Sequence, residues 1–264
     1  MKRLLFMLGV ALASACSPPA ENLSIEFAVT FEGNSIDCNS EDAGVRLTDL
    51  RFYVHDVSLI SADGALHPMR FTPDGVWQTG QVSLIDLESG EGACLNGTPE
   101  RHSAISGHYS GENIAGIQFN IGVPERLNHA DPLSAEAPLS YSVMHWHWAS
   151  GYKFIRAGIE HGDDSVFLHL GSNRCEGTIG NIQGCRAPNR PFVALTGFNP
   201  ATDRIVFDLG VLFQETLLDD GVRSECMSGP ANPACAGPFR QLGIDFESGA
   251  TIEPSAAFSV SPKP

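Results

Sequence analysis

Met144-His145-Trp146-His147-Trp148 brings two imidazoles and two indoles into one short stretch of the chain. In an extended conformation His145 and His147 project to one face, and Met144, Trp146 and Trp148 to the other. Imidazoles at i and i+2 can share one metal ion. Neutral imidazole suits copper and zinc, with copper highest among the divalent ions for such donors. The indoles either bury a large area against a core or stand beside a site. Two more histidines occupy polar-phase positions of alternating runs, His55 after Phe52-Tyr53-Val54 and His169 within Phe167-Leu168-His169-Leu170. A sheet could gather such positions from distant parts of the chain. His67, His102, His108, His129 and His161 fall in loop-like stretches and read as surface residues. The plainer account of any one histidine is a hydrogen-bonded or exposed side chain, and of the tryptophans core packing.

Motifs for other chemistries are missing. The chain has no His-Glu-x-x-His, Gly-x-Ser-x-Gly, Walker or Gly-x-Gly-x-x-Gly motif, and no Cys-x-x-Cys-His for covalent haem. Its carboxylates form no sequence-local pair suited to general acid and base work. The expectation is a protein that is not an enzyme.

The elements that must position these side chains are strands. Ile25, Phe27, Val29 and Phe31 alternate with more polar neighbours, as do Leu50, Phe52 and Val54; Ile117, Phe119 and Ile121; Val166, Leu168 and Leu170; and Ile205, Phe207 and Leu209. Phe258 and Val260 suggest a closing strand. The 27 glycines and 17 prolines punctuate these runs as turns require. Only Gly210 to Leu218 reads as a short helix. The expected fold is all-β, a β-sandwich or open barrel formed by one domain over residues 24–264. Long disulfide-stapled loops are expected over Gly171 to Pro191 and Asp219 to Pro238.

The N-terminus points to export. Lys2 and Arg3 precede an apolar run from Leu4 to Ala13, then Ala13-Ser14-Ala15 and Cys16. This pattern predicts a signal peptide over residues 1–15, a lipidated Cys16 and a tether over residues 16–23. It places the protein in the periplasm or on the outer membrane of a Gram-negative bacterium. Setting Cys16 aside leaves Cys38, Cys94, Cys175, Cys185, Cys226 and Cys235, an even set that reads as three disulfides in an oxidising compartment. Six cysteines allow 15 connectivities. Proximity favours Cys175–Cys185 and Cys226–Cys235, with Cys38–Cys94 remaining. The formal charge of −15 argues against nucleic acid and anionic lipid as partners.

Three segments stand out together: Trp146-x-Trp148-x-Ser150-Gly151-Tyr152-Lys153-Phe154, His169-x-Gly171-Ser172-x-x-Cys175 with the later Cys185, and Leu47-Thr48-Asp49-Leu50-Arg51-Phe52-Tyr53-Val54. In combination they resemble the MbnP family of exported copper-binding proteins, the four-Cys member of a "metallo-mystery pair". The resemblance implies copper as the bound metal. It also implies a di-haem partner of the MauG/cytochrome c peroxidase type that oxidises a tryptophan to a kynurenine-type residue. Carried onto this chain, Trp148 or Trp146 is the residue oxidised. His169 and His55 are the leading metal ligands, and His145 or His147 add to them. Histidines flanking the paired tryptophans depart from the family's pattern. The rival expectation is a β-sandwich module binding carbohydrate or protein through Trp77, Trp146 and Trp148.

Overall fold

The computed structural model describes residues 20–39, 44–162, 164–216, 223–229 and 231–264. The expected leader and Cys16 lie outside them. The first strand begins at Glu21, inside the stretch expected to be tether.

Two sheets face each other. The smaller runs in the order β17 (Phe258–Pro262), β15 (Asp203–Asp208), β1 (Glu21–Phe31), β7 (Ala104–Tyr109) and β5 (Arg70–Phe71), with β2 (Asn34–Ser35) against β1. The larger runs β14 (Phe192–Thr196), β8 (Ile114–Ile121), β3 (Val45–Ser61), β10 (Gly151–His161), β11 (Asp164–Gly171) and β16 (Arg223–Cys226). Short strands β4 (Leu66–Pro68) and β6 (Ser83–Asp86) pair with β3, and β9 (His145–His147) with β10. The fold is an all-β sandwich. Pairing is antiparallel except for β1 with β15 and β11 with β16.

Alternation decides what lies between the sheets. Ile25, Phe27, Val29 and Phe31 of β1 turn inward and are buried, as period-two side-chain geometry requires. There Phe27 meets Phe52 edge to face at 5.6 Å, and Phe52 meets Phe207 at 5.5 Å. Each such phenylalanine stabilises the fold by roughly 1.5–3 kcal/mol through burial.

The outer face of the larger sheet is also covered. Residues 123–150, between β8 and β10, fold across it and create a second apolar cluster with Tyr53, Leu84, Val123, Leu139, Met144, Tyr152 and Phe154. Two phenols from the sheet hold this cover down: Tyr53 Oη donates to the Pro138 carbonyl at 3.0 Å, and Tyr152 Oη to that of Leu139 at 2.7 Å. Because β3 is buried on both faces, its polar-phase residues Asp49, Arg51 and His55 are interior.

Helix is shorter and differently placed than expected. Helix α1 spans Leu209–Phe213, capped by Asp208, which accepts from the backbone N–H of Gly210 and Val211. Residues 214–216 turn away, and 217–222 lie outside the described residues. Helix α2 (Ala236–Gln241) forms where a loop was expected. Its Gly237-Pro238 reads as a break in sequence, but proline in a first turn costs no intrahelical hydrogen bond. The segment after Gly171 is likewise a hairpin, β12 (Asn173–Thr178) with β13 (Asn181–Ala187), rather than an irregular loop. Disulfides join Cys38 to Cys94, Cys175 to Cys185 across this hairpin, and Cys226 to Cys235.

Candidate metal centre

The tryptophan pair sits where the cover returns to the sheet. Met144 closes a 3-10 turn (Ser142–Met144) and is fully buried, so it belongs to the second cluster and not to the strand. β9 then pairs with the start of β10, His147 opposite Gly151 and His145 opposite Tyr152. Gly151 adopts a left-handed φ of +73°, and a Cβ there would lie 2.1 Å from the Asn128 carbonyl oxygen. Asn128 in turn accepts the Tyr152 N–H through its Oδ1 at 3.2 Å. Glycine is required here by conformation and by space.

Trp146 is half-buried and lies on Gly171 of β11. A Cβ on Gly171 would stand 2.8 Å from the indole Cζ3 and 2.6 Å from the Tyr152 carbonyl oxygen. Lys153 Nζ is 6.0 Å from the indole centroid and donates to the Val143 carbonyl at 2.7 Å. Burial, then the nearby Arg156 and Arg51, bring this ammonium down to about 8. Trp148, in the turn that follows β9, is 42% exposed.

His169 precedes Gly171 by two residues, so its Cα is about 6.6 Å up the same face of β11. Its Nδ1 is buried without a hydrogen-bond partner. Burial first, then Arg156, Lys153 and Arg51, push its pKa down to about 3, which keeps the imidazole neutral. His145 meets the Tyr152 ring at 5.1 Å, and burial followed by the charges of His147 and Lys153 lowers its pKa. At His147 the Ala149 N–H donates to Nδ1 at 3.3 Å, leaving Nε2–H to face Ser150 Oγ at 3.1 Å.

His129, read from the sequence as a surface residue, is part of this neighbourhood. Its Nδ1 faces the Trp148 carbonyl at 3.2 Å and must carry the proton. Nε2 is then a lone pair, accepting from Asn128 Nδ2 at 3.2 Å and lying 3.3 Å from Cys185 Sγ. Its pKa is lowered, chiefly by burial.

The four predicted histidines do not converge. His55 is 4% exposed on β3 opposite Asn120 of β8, with Nδ1–H on Asp56 at 2.9 Å and a buried Nε2 lacking a partner. Register explains its distance from His169: the latter aligns through Arg156 with Arg51, four residues from His55 along β3 and two strands away. That offset is about 13 Å along the strand and about 10 Å across. Among the described residues, the groups of three or more ligand types with atoms within 4.8 Å of one another are His129–Cys175–Cys185 and Cys38–Glu88–Cys94. In both, the two sulfurs are already joined in a disulfide and are not thiolates. The donors present fit copper as separate neutral imidazoles: an unprotonated ring nitrogen on His129, which now accepts from Asn128, and an orphaned one on His169, two residues before the Gly171 on which Trp146 lies.

The arrangement defines a class: an all-β sandwich stapled by disulfides, with a histidine- and tryptophan-bearing hairpin laid over one sheet. The chain belongs to the MbnP family, whose model matches residues 20–228. A solved structure, MbnP from Methylosinus trichosporium, is similar over 92% of this chain and 99% of its own length, with a TM-score of 0.78 and 26% identity. No curated protein matches the chain. No helix among the described residues is long and apolar enough to cross a membrane.

Proposed function

We propose that this protein is an exported, non-enzymatic copper-binding protein in copper acquisition or handling, anchored through an acylated Cys16. In this reading a di-haem enzyme of the MauG/cytochrome c peroxidase type oxidises Trp148 or Trp146 to a kynurenine-type residue. The observation that carries it is the seat of Trp146 on Gly171, with His169 on the same strand and His145, His147 and His129 around the hairpin. Copper would be held by imidazoles of this set, and the carbonyl and aniline of an oxidised tryptophan would add donors. Buried His55, apart from the indoles, then serves the fold rather than the metal. Trp148, exposed at the edge, offers a route for electrons to leave toward a docked partner. Three disulfides fit an oxidising compartment.

The test is metal analysis and intact mass of the protein made with and without the di-haem enzyme. Copper near one equivalent and a changed tryptophan mass only with the partner are expected. His169→Ala should lower copper stoichiometry or affinity by about tenfold, whereas His55→Ala should not. Absence of copper and an unchanged tryptophan in both preparations would refute the reading.

A further inference from the structure

Away from the indole pair, a cavity of about 450 Å³ opens between β6 and the cover. Such a volume is within the range of small-molecule sites, roughly 300–1,000 Å³. Its walls include Trp77, Leu84, Tyr141 and Val143. Trp77 stacks on His102, with centroids 5.5 Å apart and planes 3° from parallel, and meets Tyr141 edge to face at 5.7 Å. The loop carrying Trp77 is tied by Asp74, whose Oδ1 accepts from the backbone N–H of Val76, Trp77 and Gln78. The aromatic corner is therefore fixed before any guest arrives.

The cavity's own lining carries two carboxylates, Asp86 and Glu100, and one guanidinium, Arg51. Arg51 donates Nε and Nη2 to the two oxygens of Asp49 at 2.8 and 2.7 Å and sets Nη1 3.5 Å from Glu88. Arg156 reaches Asp49 at 2.7 Å. These two guanidiniums are thus matched by Asp49 and Glu88. Asp86 is 3% exposed and lines the cavity; among the described residues its carboxylate accepts the Glu88 N–H at 3.3 Å, and Arg51 stands opposite it on β3. Glu100 stands exposed on the rim. An anionic guest would meet two carboxylates and an arginine already paired. A neutral guest would give Asp86 nothing beyond the pull of Arg51, its cross-strand neighbour on β3, whereas a cation would add a second opposing charge and favour the ionised carboxylate.

We propose that this cavity binds a small organic ammonium ion, its charge set between the carboxylates of Asp86 and Glu100 and the rings of Trp77 and Tyr141. The site lies on the sheet face shared with the metal centre but uses none of its histidines. Binding is linked to protons. Burial, then the charge of Glu88, raises Asp86 to about 8 against the pull of Arg51, with Asp49 a further acid nearby. Tyr141 and Glu100 face the cavity from the cover and the rim. A bound cation favours the ionised carboxylate, so its arrival expels a proton and affinity rises with pH up to that value.

The probe is choline, titrated calorimetrically into the full chain at about pH 6 and about pH 8, with the uncharged isostere 3,3-dimethylbutan-1-ol alongside. Choline should bind about tenfold or more tightly at the higher pH, and the isostere at least about tenfold more weakly than choline. Asp86→Asn should remove most of the affinity and its pH dependence. Glu100→Gln, an exposed change that spares the fold, should weaken choline about threefold, and His169→Ala should leave it unchanged. Failure of choline to bind, equal binding of the isostere, or wild-type affinity in both Asp86→Asn and Glu100→Gln would overturn the proposal. Should Asp86→Asn not fold, the Glu100→Gln titration and the pH comparison decide it.

Discussion

Gly171→Ala tests whether the seat of Trp146 is as tight as it looks. The added methyl would sit 2.8 Å from the indole and 2.6 Å from the backbone carbonyl of Tyr152, both inside van der Waals contact. A side-chain tip can swing aside, but the carbonyl belongs to the neighbouring strand, where Lys153 pairs with Gly171. Overpacking of this kind costs about 1–3 kcal/mol. For a domain of this size each kcal/mol lowers Tm by about 2–4 °C, so the expected loss is about 2–12 °C. Gly80→Ala is the control: nothing lies within 4 Å of its added Cβ. Its reduced unfolded-state entropy should leave stability unchanged or raised by up to about 1 kcal/mol. Thermal unfolding followed by circular dichroism gives both numbers, and tryptophan fluorescence reports whether Trp146 has left its seat. The reasoning is refuted if Gly171→Ala melts with the wild type and its emission spectrum is unmoved.

Three other perturbations probe different terms. Arg51→Met should destabilise by about 3–5 kcal/mol, because Asp49 and the fully buried Glu88 lose a partner; chemical denaturation checks this, and a change under about 1 kcal/mol would contradict it. His169 is held neutral in the fold and protonates near its ordinary value when unfolded. The unfolded chain therefore binds the extra proton between about pH 6.5 and pH 3, and stability falls as pH drops through that window. His169→Phe should flatten this acid limb, while Asp86→Asn, with the opposite shift, should raise stability near pH 8; melting curves across pH separate the two. Opening Cys38–Cys94 by a double alanine change should cost about 4 kcal/mol, against about 3 for Cys175–Cys185, since the closed loops span separations of 56 and 10 residues.

Much of the sandwich was legible because strands such as β1 bury one face and leave the alternation clean. The second apolar layer was not. Arg51 and Asp49 look like solvent-side residues of β3, and only their ion network under the cover makes their burial tolerable. Trp146, Trp148, His145, His147 and His169 stood out as candidates because they cluster at strand spacing or within a motif. His129 carries no such signal: it reaches the hairpin through Asn128 and Gly151, a contact between positions far apart in sequence. His55 showed the same polar-phase signature as His169, and register alone puts it elsewhere. α2 was hidden by a Gly-Pro pair whose cost vanishes at a helix start.

The two phenols that hold the cover have a redox consequence. Tyr152 lies at 6.0 Å from Tyr53, ring to ring, and 5.1 Å from His145, so an aromatic path runs inward from the hairpin. A phenol gives up an electron readily only when its proton has somewhere to go. Both hydroxyls donate to backbone carbonyls, which cannot accept the proton, and burial lifts Tyr152 to about 12. If an electron is drawn from this hairpin, the hole has no favourable resting place deeper in the fold. Oxidation is then expected to stay on the indoles of the hairpin, and an electron-resonance spectrum of the oxidised protein should carry a tryptophanyl and not a tyrosyl signature.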